Sequence, residues 1–411
     1  MDGSRDGCAV GLPIHIVRPM ITRNMVLGGA ATVALALTVT ATAGPAKADG
    51  HTGLRQAVER LTEPDGAPGA LAEVNDRNGR LVITSGVADI RTGAPVNPRS
   101  RFRIGSLTKP FVATVALQLV GEGRIKLDAP VERYLPGVVR GADNDGREIT
   151  VRQLLQQTSG LPDVLKFLPP QEILKDPLRH WETRDLVNIA LQHPRNFTPG
   201  EKWGYSNTNY LLAGMIIESV TGHPYGREIR RRVIHPLGLH DTFVPNDAPA
   251  IPAPHPRGYV RPESDLVDIT RLNPTVGGAA GGMISSASNV NRFLAALLRG
   301  RLLKPAQLRE MLDARPTGRA SESKYGLGLQ WLPVKDSPTC SDGYWGHDGD
   351  MLGFSTRAGT TMDGRQATVM VNLKPGGGPA LDDAMSKILP IALCGNYCNP
   401  SRTDQDRMDG I

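Results

Sequence analysis

The sequence predicts a mixed α+β fold, in which a domain of strands and helices is interrupted by a mainly helical insertion. Three observations carry this reading. Apolar segments with strand character gather near both ends of the chain, at 69–87 and 326–373. Between about 131 and 275 the chain changes to short helical patterns joined by proline-rich loops. Helical periodicity returns at 287–298 and 380–393, so the terminal parts hold both element types. The expected organisation is a leader over 1–48, a sheet domain built from 49–130 and 276–398, a helical domain over 131–275, and a flexible polar tail over 399–411.

The elements follow in order. Arg18 and Arg23 precede an uncharged stretch from Met25 to Pro45. Small residues then fall in A-x-A patterns, Ala41-Thr42-Ala43 and Ala46-Lys47-Ala48. This reads as a secretory signal peptide cleaved before Asp49, and hence as a secreted protein. The alternative is a membrane anchor through residues 25–45, just long enough to span. Leu54–Leu61 reads as a first helix, and Gly69–Val74 and Leu81–Val87 as strands around the hairpin signal Asn78-Gly79. Phe102 and Ile104 alternate up to Gly105, and the apolar run Phe111–Val120 is a buried helix stopped by Gly121 and Gly123. Pro110 fits only a first helical turn, which puts that helix's start near Ser106. Thr150 caps Val151–Gln157 and Thr183 caps Arg184–Gln192; Tyr210–Thr221 and Tyr225–Ile234 are further helices. A glycine-rich loop, Gly277–Gly282, leads into the helix Ala287–Leu298; no Gly-Lys-Ser/Thr follows it, so it is not a phosphate loop. Strands are expected at Gly326–Leu332, Gly343–Gly349, Leu352–Ala358 and Ala367–Leu373, before a last helix at Ala380–Leu393.

Composition narrows the function. At 40% hydrophobic and 21% charged, the chain has the make-up of a globular enzyme. Removing 1–48 takes away Arg5, Arg18, Arg23 and Lys47 against Asp2 and Asp6, lowering the net charge from +6 to +4. That is too small and too dispersed for a nucleic-acid partner. Contact with a membrane is expected only through the leader. Cys8 falls in the leader, leaving Cys340, Cys394 and Cys398. One disulfide is expected from Cys340 to the C-terminal pair, with Cys394 preferred because it ends an apolar run. A zinc site is the alternative, but no Cys-x-x-Cys or His-x-x-x-His spacing accompanies these residues, and no metal or cofactor is expected.

Three short motifs carry the chemistry. Ser106 and Lys109 lie three apart at a helix start, so their side chains meet on one face, a candidate activated nucleophile. The helix's first N–H groups lack intrahelical partners, so the Ser106 amide is free to hold an oxyanion. Burial would push the Lys109 amine toward its neutral, proton-accepting form. With 18 serines and 11 lysines in the chain, about half a Ser-x-x-Lys match arises by chance, and Ser321-Glu-Ser-Lys324 is a second one, in a polar loop. Tyr205-Ser206-Asn207 precedes the Tyr210–Thr221 helix and supplies a proton-relaying phenol and a carboxamide suited to a substrate carbonyl. His347-Asp348-Gly349 ends a strand pattern, its glycine allowing a substrate backbone to approach. Tyr397-Cys-Asn399 and His51-Thr-Gly53 repeat these patterns in places without a supporting element. Each motif alone is more often structural; their order, Ser-x-x-Lys, Tyr-x-Asn, His-x-Gly, is what stands out. His180, His193, His223, His235, His240 and His255 lie beside prolines, turns or helix ends and read as surface or loop histidines. No Gly-x-Ser-x-Gly elbow supports a Ser/His/Asp hydrolase.

The motifs RFRIGSLTK (101–109), TVRQLLQQTSGL (150–161), YSNTNYLLAGMIIESVTGH (205–223), YGLGL (325–329) and GHDG (346–349) together resemble the serine β-lactamase and penicillin-binding-protein superfamily. Within it the chain is similar to the class C β-lactamase-like group, and most of all to its secreted D-alanyl-D-alanine carboxypeptidases/transpeptidases. The resemblance implies an antiparallel sheet flanked by helices, with Ser106 acylated and Lys109 and Tyr205 exchanging its proton. It implies an oxyanion hole from the N–H groups of Ser106 and Asp350, with Asn207, His347 and Gly349 touching substrate. It also matches the spacing of Cys340 and Cys394 around His347. It further implies cell-wall peptide substrates of D-alanyl-D-alanine type, with β-lactams as covalent inhibitors. The chain departs from that branch where it holds a substrate carboxylate: Gln330 stands for an arginine, and Asp348 and Asp350 for threonines. Exchanging a cation and hydroxyls for an amide and carboxylates weakens anion binding and favours a substrate with a free amine. A D-aminopeptidase, esterase or β-lactamase is therefore the alternative; a non-hydrolysing β-lactam or peptidoglycan sensor would not need both Lys109 and Tyr205.

Overall fold

The computed structural model describes residues 51–395 except Asn78, Ala320, Asp336, Pro338 and Thr339. The signal segment and the alternative anchor, Cys8, Cys398 and the tail lie outside the described residues.

Alternation of side chains builds the framework. In the Gly69–Asp76 strand, Ala70, Ala72 and Val74 face one core while Leu71 faces another, the period of two that puts neighbours on opposite faces. The Gln366–Val371 strand repeats it, with Ala367, Val369 and Val371 opposed to Met370. Nine strands pair antiparallel throughout, in the order Arg315–Pro316, Lys324–Tyr325, Gln330–Leu332, Tyr344–Met351, Phe354–Thr360, Gln366–Val371, Gly69–Asp76, Gly79–Asp89, Ala94–Pro95. First and last parts of the chain thus share one sheet, joined where Ala70 pairs with Val371. The terminal helices, Thr52–Arg60 and Gly378–Cys394, cover one face through Leu54, Val58, Met385 and Leu389. The other face packs on Ala287–Leu298, whose Phe293 ring stacks at 3.6 Å on Phe111 of the Thr108–Gly121 helix. Cys340 is disulfide-bonded to Cys394, with Cα atoms 5.5 Å apart.

The stretch between these parts holds the helices Val151–Leu155, Pro170–Lys175, Thr183–Leu191, Asn207–Thr221 and Tyr225–Ile229, the last continuing as Arg230–Ile234 and His235–Leu237. Thr183 is the first helical residue rather than the cap, a place taken by Glu182. The apolar segment Gly326–Leu332 is not one strand. Gly326 donates to the Leu329 carbonyl at 2.8 Å, a turn that separates Lys324–Tyr325 from Gln330–Leu332 and carries Leu327 and Leu329 into the core. Gly277–Gly282 likewise contains a helical turn, Gly278–Gly281, whose buried alanines pack the core against Asn207–Thr221.

Gly349 shows why strand and nucleophile segment lie so close. A Cβ there would stand 2.0 Å from the Ile104 carbonyl oxygen. The backbone that needs the missing side chain is the protein's own, not a substrate's, which corrects the expectation for Gly349. Gly349→Ala is expected to lower stability by about 1–3 kcal/mol, the usual cost of overpacking, and to cut turnover by displacing Ser106. Urea unfolding and kcat on the same preparation check both.

Candidate active site

Ser106 sits in a 3₁₀ turn, Gly105–Leu107, that runs into Thr108–Gly121. The turn is clamped by the Tyr344–Met351 strand: a Cβ on Gly105 would lie 2.7 Å from the Asp350 nitrogen. Gly105 has φ +50°, a conformation that glycine adopts without strain. The backbones of Ser106 and Asp350 are therefore neighbours.

Lys109 is wholly buried. Its Nζ lies 2.8 Å from each of three oxygens: Ser106 Oγ, Asn207 Oδ1 and the Ala280 carbonyl. Burial lowers its pKa to about 7, opposed only by the charge of Asp163. The Tyr205 phenol is close enough to Ser106 for that hydroxyl to favour its ionisation slightly, but burial holds its pKa well above the ordinary phenol value. The Lys109 Nζ also lies 4.8 Å from the centre of the Tyr205 ring. A neutral amine beside a hydroxyl can take its proton, and a protonated phenol on the same oxygen can give one back.

The Tyr-x-Asn segment owes its position to residues 157–163. Ser206 N–H donates to Gln157 Oε1, Ser206 and Thr208 hydroxyls donate to the Pro162 carbonyl, and Asn209 Nδ2 donates to Gln157 Oε1. Asn207 donates from its backbone N–H and its Nδ2 to Asp163 Oδ1, at 3.0 and 3.1 Å. Its carboxamide is thus engaged by Asp163 and Lys109, where the sequence suggested a substrate carbonyl.

His347 is buried, and both ring nitrogens are occupied. Nδ1–H donates to the Asp348 carbonyl at 2.5 Å, so Nε2 accepts from the Tyr325 hydroxyl at 3.0 Å. Burial, then the nearby Lys109 charge, lowers its pKa to about 3. It supplies no cation at neutral pH. Lys324 of the second Ser-x-x-Lys lies over the Trp331 ring at 5.0 Å instead of meeting Ser321.

A cavity of about 460 Å³ opens over Ser106. One wall is apolar, from Val164, Leu165, Leu168, Ile173, Val276 and Leu352. Asp348 and Asp350 share the strand face that lines it, and they differ. Asp350 accepts from Ser355 at 2.6 Å and pairs with Arg357 at 3.1 Å and Lys374 at 3.2 Å. Asp348 has a single, longer approach from Arg357 at 3.5 Å, and its side chain is 51% exposed. Gln330 also faces the cavity, and a cation that the sequence reading did not single out stands elsewhere in the lining. Arg319 lines it, stacked on Trp203 at 4.6 Å, with no carboxylate partner among the described residues. The Trp203 indole N–H is buried without an acceptor among the described residues. Arg319 and Asp163 reach the site from loops, and no local pattern in the sequence marks either.

A serine, a buried lysine and a tyrosine beside an antiparallel sheet flanked by helices define a serine-hydrolase site of the β-lactamase and penicillin-binding-protein kind. The chain belongs to the Beta-lactamase family, whose model matches residues 54–389. It is similar to a D-stereospecific amidohydrolase of Streptomyces sp., with 39% identity, 84% of this chain and 99% of that one covered, and a TM-score of 0.76. A D-amino acid amidase of Ochrobactrum anthropi, solved with D-phenylalanine, is 27% identical over 83% of this chain and 98% of that one, with a TM-score of 0.71. Esterase EstB of Burkholderia gladioli is 31% identical over 66% of this chain and 77% of that protein.

Proposed function

We propose that this serine hydrolase cleaves amides and short peptides of apolar D-amino acids through an acyl-serine intermediate. The observation that carries the reading is Asp348, a half-exposed carboxyl whose one ion-pair contact among the described residues is long, at 3.5 Å, facing a mostly apolar cavity beside Ser106. Burial raises its pKa, and Arg357, Arg319 and Lys374 lower it. A free α-amine suits that carboxylate, and a bulky side chain suits the wall of Leu165, Leu168 and Ile173. Similarity to a D-stereospecific amidohydrolase and a D-amino acid amidase supports the same class.

In this mechanism Lys109, neutral at working pH, takes the Ser106 proton as Oγ attacks the carbonyl carbon. The N–H groups of Ser106 and Asp350 hold the oxyanion. Tyr205, kept protonated by its burial, donates to the departing amine and is reprotonated from Lys109. Water then attacks the acyl-serine and restores the enzyme. A phenolate base is the poorer assignment, because burial moves Tyr205 away from ionisation and Lys109 toward the neutral amine.

Arg319 favours a second reading. A guanidinium over the cavity with no ion pair among the described residues suits a peptide's terminal carboxylate, as a D-alanyl-D-alanine carboxypeptidase acting on peptidoglycan-type peptides requires. β-Lactams would then acylate Ser106. Export through the 1–48 leader is part of the proposal, and the Cys340–Cys394 bond supports it, since such bonds persist in oxidising compartments.

Comparing D-phenylalanine amide with an N-acylated D-alanyl-D-alanine peptide separates the two readings. Asp348→Asn is expected to raise KM for the free-amine amide about tenfold, one lost charge contact, with kcat little changed and the acylated peptide unaffected. Preference for the acylated peptide, lost on Arg319→Ala and indifferent to Asp348→Asn, would overturn the amidase reading.

A further inference from the structure

Lys109 has three oxygens around one nitrogen, each at 2.8 Å. As a neutral amine it has two N–H bonds and one lone pair. If the N–H bonds go to Asn207 Oδ1 and the Ala280 carbonyl, the lone pair is left for the Ser106 hydroxyl proton. That holds only while Asn207 presents its oxygen. A rotated carboxamide would present Nδ2–H, a donor that competes with Ser106 for the lone pair.

Asp163 decides which end Asn207 presents. Its carboxylate accepts from Asn207 Nδ2 at 3.1 and 3.3 Å and from the Asn207 backbone N–H at 3.0 Å. It accepts from the Leu165 N–H at 3.3 Å as well. A carboxylate has no proton to offer, so Asn207 Oδ1 turned toward it would be repelled. The anion also sits at the N-terminus of the 15-residue helix Asn207–Thr221, where the helix dipole favours it.

We propose that Asp163 is the positioning residue of this site, fixing Asn207 so that the Lys109 lone pair meets Ser106. The proposal rests on Lys109 being the base. The other titratable groups around Lys109 are Tyr205 and Tyr210, with ring centres 4.8 and 5.6 Å from Nζ, and His347. Burial keeps both phenols protonated and His347 neutral. Asp163 is the charge that acts on Lys109 against its burial.

The test is the pH dependence of kcat/KM for D-phenylalanine amide in wild type, Asp163→Asn and Asp163→Glu. Removing an anion favours the neutral amine. The acid limb of Asp163→Asn is therefore expected to move down by about one pH unit, the low end of what one opposite charge does. Its plateau should fall, because Asn207 is free to rotate. Asp163→Glu keeps the charge and should leave the limb in place even if its rate drops. If both variants lose rate with the acid limb unmoved, Asp163 is a packing residue and the proposal fails. Lys109→Met run alongside keeps the two ideas apart: turnover surviving there would remove the base assignment itself, whatever Asp163 does.

Discussion

Ser106→Ala is expected to reduce kcat/KM by about 10⁵-fold or more, the loss seen when a nucleophile is deleted from a serine hydrolase. The fold should be untouched, because the side chain is only half-buried and the turn that carries it is held by backbone contacts to Asp350. What activity remains comes from the oxyanion hole and from binding, which the substitution leaves in place. Substrate affinity in the inactive variant, measured by calorimetry, should stay within a few-fold of the wild-type KM. A variant that lost binding as well as turnover would point to collapse of the Gly105–Leu107 turn rather than to a missing nucleophile.

Lys109→Met has the second largest effect and a sign that sets it apart. Methionine fills the same buried channel without a proton acceptor, and turnover should fall by about 10³-fold, within the usual range for a lost general base. Stability should move the other way. The folded pKa of Lys109, about 7, lies below the ordinary lysine value of 10.5. Between those values the unfolded chain binds a proton that the native state does not, so stability rises with pH across that window. Below pH 7 both states carry the charge, and the native state bears the cost of burying it. The methionine variant should therefore be more resistant to urea than wild type at pH 6, with the advantage shrinking toward pH 9. Equal advantages at both pH values would mean that Lys109 is an ordinary charged lysine in the folded protein. In wild type the same pKa predicts an acid limb of kcat/KM near pH 7.

Much of this chemistry was legible in the sequence because it lies in short, regularly spaced segments. Ser106 and Lys109 are three apart on a helix start, and Tyr205 and Asn207 directly precede a long apolar helix. Two errors share one cause: each residue's partner is distant in sequence. Gly349 looked like room for a substrate, and the structure gives that room to Ile104, 245 positions earlier in the chain. Gly326–Leu332 had strand composition, but packing on the Thr108–Gly121 and Asn207–Thr221 helices bends it into a turn. Asp348 and Asp350 share one strand face, and only the positions of Ser355, Arg357 and Lys374 distinguish a satisfied carboxylate from a more available one. Asp163 and Arg319 escaped notice for the same reason. Neither belongs to a motif, and each acquires its meaning from side chains that the fold brings to it: Asn207 for one, Trp203 for the other.

Trapping the acyl-enzyme is the most direct measurement. Protein mixed with a D-phenylalanine ester, quenched with acid in the first turnovers and digested, should carry one acyl group on the peptide containing Ser106. The adduct should be absent in Ser106→Ala and should form about 10³-fold more slowly in Lys109→Met, in step with its loss of turnover. Full turnover with no adduct on Ser106, or an adduct on another residue that persists in Ser106→Ala, would contradict the assignment of Ser106 as nucleophile.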